Sequence, residues 1–150
     1  MFRACCVEQI NHSKISVKEH GMSAVILNEN KEDFLRVKID GCELKQQTSA
    51  DFLIEKISSD RAVIIELKGK GIDKAVKQLE ATIDWLKSKK YTKKLANLVV
   101  CSNVPPRAKT NKAIAQEKFR KCDMRLNFVE GNREYIFENI FTSTPLAKKQ

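Results

Sequence analysis

The stretch from Arg61 to Asn103 constrains the fold most, because its hydrophobic pattern changes period twice. The segment RAVIIELKG at 61–69 contains four consecutive apolar residues, which predicts a strand that enters a core. Over residues 72–90 the apolar side chains recur every three or four positions, which predicts a helix with one buried stripe. The run KLANLVVCSN at 94–103 then predicts a buried strand. Strand, helix and strand in this order indicate an α/β fold.

The remaining segments predict a single domain over residues 1–150, built on a central mixed β-sheet flanked by helices. A short helix is expected within Phe2–Asn11 and a second helix at 110–122, while the last residues, 143–150, read as a short basic tail. Further strands are expected at AVILN (24–28), DFLRVKID (33–40), ADFLIEKI (50–57) and, as a final strand or hairpin around Gly131-Asn132, at 124–139.

The charge balance favours a polyanionic partner. Lys and Arg number 28 against 19 Asp and Glu, which gives a formal net charge of +9. Nucleic acid and an anionic membrane surface both fit this charge, but the chain has no run of about 18 apolar residues that would span a bilayer. Nucleic acid, and no membrane, is therefore the expected partner, through basic residues at Lys87, Lys89, Lys90, Lys93, Lys94, Arg107, Lys109, Lys112, Lys118, Arg120 and Lys121.

The cysteines and histidines form no recognisable metal motif. Five cysteines are present without a CxxC pair, and the odd number with no export signal predicts reduced thiols, mostly buried and inert, in a cytoplasmic protein. His12 and His20 have no partner in the sequence that suggests a metal pair, so both are predicted to be surface residues.

Glu66 and Lys68 carry the strongest functional signal. Residues two apart on a strand share a face, so both side chains point the same way at the end of an apolar strand. If 51–57 and 61–68 form a hairpin centred on Ser58-Ser59, position 66 pairs with Asp51. Two carboxylates directly opposite each other, with Cβ atoms about 4.5–5.5 Å apart, repel unless a cation lies between them.

This register predicts a divalent-cation site for phosphodiester chemistry. Mg²⁺ prefers oxygen ligands and binds through one or two carboxylates plus water and phosphate, and Lys68 is placed to assist attack on a phosphate. The alternative is an ordinary polar pair on the solvated side of an edge strand, with Asp51 capping a turn.

Together these residues resemble the PD-(D/E)XK, or restriction-endonuclease-like, nuclease superfamily. The matching segments are SADFLI with Asp51, IIELK with Glu66 and Lys68, and AVKQLE with Gln78; Ala50 stands where the name-giving proline would be. The resemblance covers about Ser23 to Ser102 and implies the core order αβββαβ. It implies Asp51 and Glu66 as metal ligands, Lys68 as the catalytic lysine and Gln78 as an accessory catalytic residue.

Two roles remain open within this resemblance. Several branches place an acidic residue on the first helix, and either Glu8 or Glu19 is a candidate. Gln78 also lies beside the apolar stripe of its predicted helix, so a boundary residue with a satisfied amide is the competing interpretation.

The resemblance implies an enzyme, a metal-dependent endonuclease that uses Mg²⁺, or Mn²⁺ as a substitute, and acts on nucleic acid, with DNA favoured. Small Holliday junction resolvases of this superfamily have similar length and charge, which suggests a structure-specific homodimer or a subunit of a larger complex. The alternatives are a non-catalytic nucleic-acid-binding module that retains the nuclease fold, and a basic protein-interaction domain.

Overall fold

The computed structural model describes residues 1–67, 71–102 and 109–142. These residues form two helices, one 3₁₀ helix and nine strands in two sheets. The strands are β1 Val7–Ile10, β2 Lys14–Glu19, β3 Met22–Leu27, β4 Phe34–Lys38, β5 Phe52–Lys56, β6 Arg61–Leu67, β7 Lys94–Cys101, β8 Arg125–Glu130 and β9 Arg133–Ile136. The helices are α1 Ile72–Ser88 and α2 Lys109–Lys121, and the 3₁₀ helix is Phe137–Phe141.

The larger sheet is mixed and has the order β1-β4-β5-β6-β7-β8. The pairs β1–β4, β4–β5 and β5–β6 are antiparallel, whereas the pairs β6–β7 and β7–β8 are parallel. The crossover through α1 makes β6 and β7 parallel, since a strand that returns in the same direction needs such a connection. The carboxyl ends of the three parallel strands therefore meet at one edge of the sheet.

The larger sheet is covered by helices on one face and by a second sheet on the other. Ile64 packs with α1 and α2 residues such as Leu79 and Phe119, while its neighbour Ile65 packs with Ile26 and other residues of the second sheet. The second sheet has the order β2-β3-β9, with β3 and β9 parallel. Strand β6 is buried on both faces, which explains its continuous apolar run.

The α/β class and a mixed sheet flanked by two helices are confirmed, with differences in detail. The predicted helix within Phe2–Asn11 is wrong, because Val7–Ile10 pairs as an edge strand with β4. The segment 124–139 forms strands as expected, but the hairpin alternative around Gly131-Asn132 is wrong, because β8 pairs with β7 while β9 joins the second sheet. Strand β2 was not predicted. The order β4-β5-β6-α1-β7 gives βββαβ, and no helix precedes it among residues 1–67.

The prediction that all five cysteines are reduced thiols is wrong for two of them. Cys6 and Cys42 form a disulfide with a Cα–Cα distance of 5.6 Å, which connects the segment before β1 to the turn after β4. Cys101 is a buried free thiol whose pKa is raised by burial, as expected of an inert thiol, whereas Cys5 and Cys122 are exposed. Neither helix in the described ranges is long and apolar enough to cross a membrane.

Candidate functional site

Asp51 and Glu66 lie side by side at the end of the β5–β6 pair, as the sequence predicted. The register pairs Phe52 with Ile65, so the next position along places Asp51 opposite Glu66. Both side chains are only 1% exposed. The predicted register is confirmed, and it brings two carboxyl groups together in the interior near the carboxyl end of β6.

The two carboxyl groups are hydrogen-bonded to each other, and burial raises the pKa of Asp51. The Leu67 N–H donates to Asp51 Oδ2 at 2.8 Å, and this bond and the one with Glu66 oppose the effect of burial on that pKa. A hydrogen bond between two carboxyl groups requires one proton, because two ionised carboxylates are acceptors only. Cation binding between these oxygens would release that proton, so the pair fits a divalent-cation site.

Helix α1 holds the backbone that carries Asp51. Gln78 Nε2 donates to the Ser49 carbonyl at 3.3 Å. Thr82 Oγ1 accepts a hydrogen bond from the Ala50 N–H at 2.8 Å and donates to the Gln78 carbonyl at 2.8 Å. The first two bonds attach residues 49–50, immediately before Asp51, to the buried side of α1, and the third lies within the helix. The sequence did not indicate Thr82, although its place on the apolar stripe is a signal for a buried hydroxyl that needs a partner.

Gln78 is therefore placed next to the site but contacts the backbone two residues before Asp51 and not the carboxyl pair. In the described part of the chain, the buried atoms Gln78 Oε1 and Ser49 Oγ have no hydrogen-bond partner. Buried polar atoms without partners are uncommon, so each is available to a bound water or ligand group. The structure gives Gln78 a positioning contact, and its accessory catalytic role stays a prediction.

Two further residues, neither of them predicted as a site residue, lie close to Asp51. His20, Asp40 and Asp51 each place a potential ligand atom within 4.8 Å of the other two. His20 is exposed, as predicted, and the fold places it near two carboxyl groups that are distant from it in the sequence. Asp40 lies next to Ile39, whose N–H donates to the Asp51 carbonyl at 2.9 Å. The sequence signal for Asp40 was its position at the end of a predicted strand.

His20 reaches Asp51 from the second sheet. It occupies the two-residue turn between β2 and β3, where Glu19 pairs with Met22, and both His20 and Gly21 have positive φ (54° and 75°). Positive φ at both positions is typical of a type I′ turn, whose twist suits a hairpin. Its position could not be predicted while β2 was unrecognised.

The two early acidic candidates are both engaged in ion pairs. Glu8 on β1 pairs with Arg36 at 3.1 Å. Glu19 at the end of β2 pairs with Lys38 at the end of β4. Neither belongs to the group formed by His20, Asp40 and Asp51.

Lys68, the predicted catalytic lysine, lies outside the described residues, together with Gly69 and Lys70. The described chain stops at Leu67 and resumes at Gly71, which directly precedes α1. The catalytic role of Lys68 therefore stays a prediction that rests on its position two residues after Glu66.

Lys93 and Lys94 of the predicted basic cluster lie away from the carboxyl pair, whereas Arg107 lies outside the described residues. Lys94 pairs with Arg61 at the start of β6, five residues from Glu66, a separation of about 17 Å along the strand. Lys93 Nζ donates to the carbonyl of Ser59 at 2.6 Å and to the carbonyl of Lys56 at 3.1 Å, so it stabilises the β5–β6 turn. The phosphate contact expected of Lys93 stays a prediction beside this structural role.

No family model, curated protein or solved structure matches the chain. Function is therefore inferred from the chemistry and geometry of the site itself.

Proposed function

We propose that this chain is a divalent-cation-dependent nuclease that hydrolyses phosphodiester bonds of nucleic acid, with DNA as the favoured substrate. The observation that carries the proposal is the buried pair of Asp51 and Glu66 on adjacent strands, close to Asp40 and His20. The succession β4-β5-β6-α1-β7 supports it, since it follows the βββαβ part of the PD-(D/E)XK core that the sequence resembles.

The site's own residues have separable roles in this proposal. Asp51 and Glu66 would hold Mg²⁺, with Mn²⁺ as a substitute, and the Leu67 N–H fixes the orientation of the Asp51 carboxylate. A bound divalent cation supplies Lewis acidity to a water molecule and to the scissile phosphate. Lys68 is proposed to hydrogen-bond the attacking water or to offset the negative charge that develops on the phosphate.

The buried position of Asp51 and Glu66 favours a functional site over an ordinary polar pair at the protein surface. Two carboxyl groups that are each 1% exposed cost free energy unless they share a proton or bind a cation. An ordinary polar pair on a solvated edge strand, the main alternative from the sequence, would be exposed. Strand β6 is also an interior strand of the six-stranded sheet. Burial and central position thus argue against the alternative.

The test is cleavage of labelled linear duplex, single-stranded and four-way-junction DNA, and of RNA, with Mg²⁺, Mn²⁺ or EDTA. We expect metal-dependent cleavage by the wild-type chain and a loss of at least about 100-fold in Asp51→Asn and Glu66→Gln, the scale of removing one charge-stabilising group from an active site. Asp84→Asn is the matched control, because Asp84 is an exposed carboxylate on α1.

The same assay separates the alternatives. Salt-sensitive binding without cleavage by wild-type protein in any metal would contradict the nuclease proposal and favour the non-catalytic module. Absence of both binding and cleavage would favour the protein-interaction domain. If the protein that cleaves the junction has a measured mass of twice 17.1 kDa, this result would support the predicted homodimer.

A further inference from the structure

We propose that His20 and Asp40 complete the cation site of Asp51, and that their mixed nitrogen and oxygen donors make this site bind a first-row transition-metal ion such as Mn²⁺ in preference to Mg²⁺. The inference rests on the proposed function, since it takes Asp51 as a ligand of the same cation. It goes further by assigning two ligands that lie outside the ExK strand, and it reverses the order of Mg²⁺ and Mn²⁺ that the resemblance implies.

The spacing of the three side chains suits a single ion. Their potential ligand atoms lie within 4.8 Å of one another. Two ligands that each lie about 2.1 Å from an ion are separated by at most about 4.2 Å. Side-chain shifts below about 1 Å would therefore bring all three atoms to one ion, which is within the range of rotamer adjustment for the exposed His20.

The ligand groups are near one another without being paired. Within the described residues, neither the His20 ring nor the Asp40 carboxyl group makes a hydrogen bond or an ion pair, although both act electrostatically on Asp51. A histidine that only neutralised a neighbouring aspartate would be expected to contact it directly. Separation without direct contact leaves room between the three groups for an ion.

Three separate segments bring these groups together, and each is fixed by its own contacts. The ion pair between Glu19 and Lys38 attaches the end of β2, and so the turn that carries His20, to the end of β4. Asp40 follows that end of β4, and the Ile39 N–H bond to Asp51 joins β4 to the residue before β5. The arrangement thus belongs to the packing of the two sheets and is not a chance approach of a loose loop.

The donor set determines the expected selectivity. Carboxylates alone suit Mg²⁺, which keeps several waters and seldom takes a nitrogen ligand, whereas imidazole favours first-row transition-metal ions. Adding one imidazole to two or three carboxylates therefore shifts selectivity toward Mn²⁺ and its heavier neighbours in the series. Removing the imidazole should affect Mn²⁺ affinity far more than Mg²⁺ affinity.

The chain offers a direct spectroscopic test, because it contains only two histidines. Mn²⁺ is added to tag-free protein, and electron spin echo envelope modulation detects ¹⁴N directly bound to the ion. We expect a ¹⁴N signal in wild type and in His12→Gln, and its loss in His20→Gln. Titration calorimetry should show Mn²⁺ affinity falling about 10- to 100-fold in His20→Gln and Asp40→Asn, with Mg²⁺ affinity nearly unchanged in His20→Gln.

The outcomes separate this inference from the proposed function. If wild-type protein binds Mn²⁺ without ¹⁴N coupling, or if the coupling persists in His20→Gln, the inference is overturned. Neither result bears on the nuclease proposal, which the cleavage assay tests. Coupling that disappears in His20→Gln in a chain that cuts no nucleic acid supports the metal site and refutes the nuclease. No Mn²⁺ binding at all refutes the inference, and Mg²⁺-dependent cleavage measured in parallel decides the nuclease independently. Circular dichroism confirms that each variant is folded.

Discussion

Thr82 allows a quantitative test of how α1 supports the site. The hydroxyl is fully buried, accepts the Ala50 N–H and lies one turn after Gln78. Thr82→Val keeps the shape of the side chain but removes the acceptor, so the buried Ala50 N–H loses its partner. The Gln78 carbonyl remains within α1 and keeps its place in the helix hydrogen-bond pattern. Only one buried group is therefore left unsatisfied.

The expected cost follows from that single group. An unsatisfied buried donor costs about 1–3 kcal/mol, so we expect the free energy of unfolding to fall by about 2 kcal/mol. With a urea m-value of about 2 kcal/mol/M, the unfolding midpoint should fall by about 1 M. Thr82→Ser is the matched control, since it keeps both hydrogen bonds and loses one methyl group, at a cost of about 1 kcal/mol.

Urea unfolding followed by circular dichroism measures both variants, and Mn²⁺ affinity is measured on the folded proteins. Because Ala50 directly precedes Asp51, Thr82→Val should also weaken Mn²⁺ binding, whereas Thr82→Ser should not. A Thr82→Val variant as stable as Thr82→Ser would show that the Ala50 bond contributes little. Equal Mn²⁺ affinity in the two variants would refute the link between α1 and the position of Asp51.

Three further perturbations test the charges and the disulfide. In metal-free buffer, the raised pKa of Asp51 means that its contribution to stability is complete below its ordinary pKa of 3.8 and is lost as pH rises through the folded pKa. In urea unfolding measured from pH 4 to 8, Asp51→Asn should remove this decrease in the free energy of unfolding. The same dependence of unfolding free energy on pH in the variant and the wild type would contradict the prediction. Lys74→Glu, near the start of α1, should lower the slope of the logarithm of the binding constant against the logarithm of salt concentration by about one unit. Lys87→Glu should not, although Lys87 belongs to the predicted basic cluster, because it lies about 20 Å along the same helix. Equal effects would place the nucleic acid elsewhere. Cys42→Ser should lower the free energy of unfolding by up to about 4 kcal/mol, because the disulfide closes a sequence separation of 36, whereas the exposed free thiol variant Cys122→Ser should change it little. Identical stability of the two cysteine variants would show that the disulfide is absent in solution.

The part of the fold that could be predicted is the part in which local pattern and packing agree. The run before Glu66 and the three- and four-residue spacing in α1 identify their elements because β6 is buried on both faces and α1 on one. The position of Asp51 followed from the short β5–β6 turn, which fixes the hairpin register. Both inferences needed only neighbouring segments of the chain.

The second sheet could not be predicted, because its pairing joins segments far apart in sequence. The turn at Gly131-Asn132 has the composition of a hairpin, but Asn132 Oδ1 accepts the Ser23 N–H at 2.9 Å, and β9 continues alongside β3. No local pattern distinguishes a strand that pairs with its predecessor from one that crosses to a distant partner. His20 was missed for the same reason, since its turn belongs to this sheet.

The second sheet connects the stability of the fold to the chemistry of the site. The larger sheet alone provides Asp51 and Glu66, and its β6 residue Ile65 requires a cover on the face opposite the helices. Strands β2 and β3 provide that cover, and the turn between them carries His20 to Asp51. Arg36 Nη1 also donates to the Ser16 carbonyl at 2.6 Å, which attaches β2 to β4. Since the same packing buries Ile65 and positions His20, a change between the sheets should move His20 while the carboxyl pair of β5 and β6 stays in register.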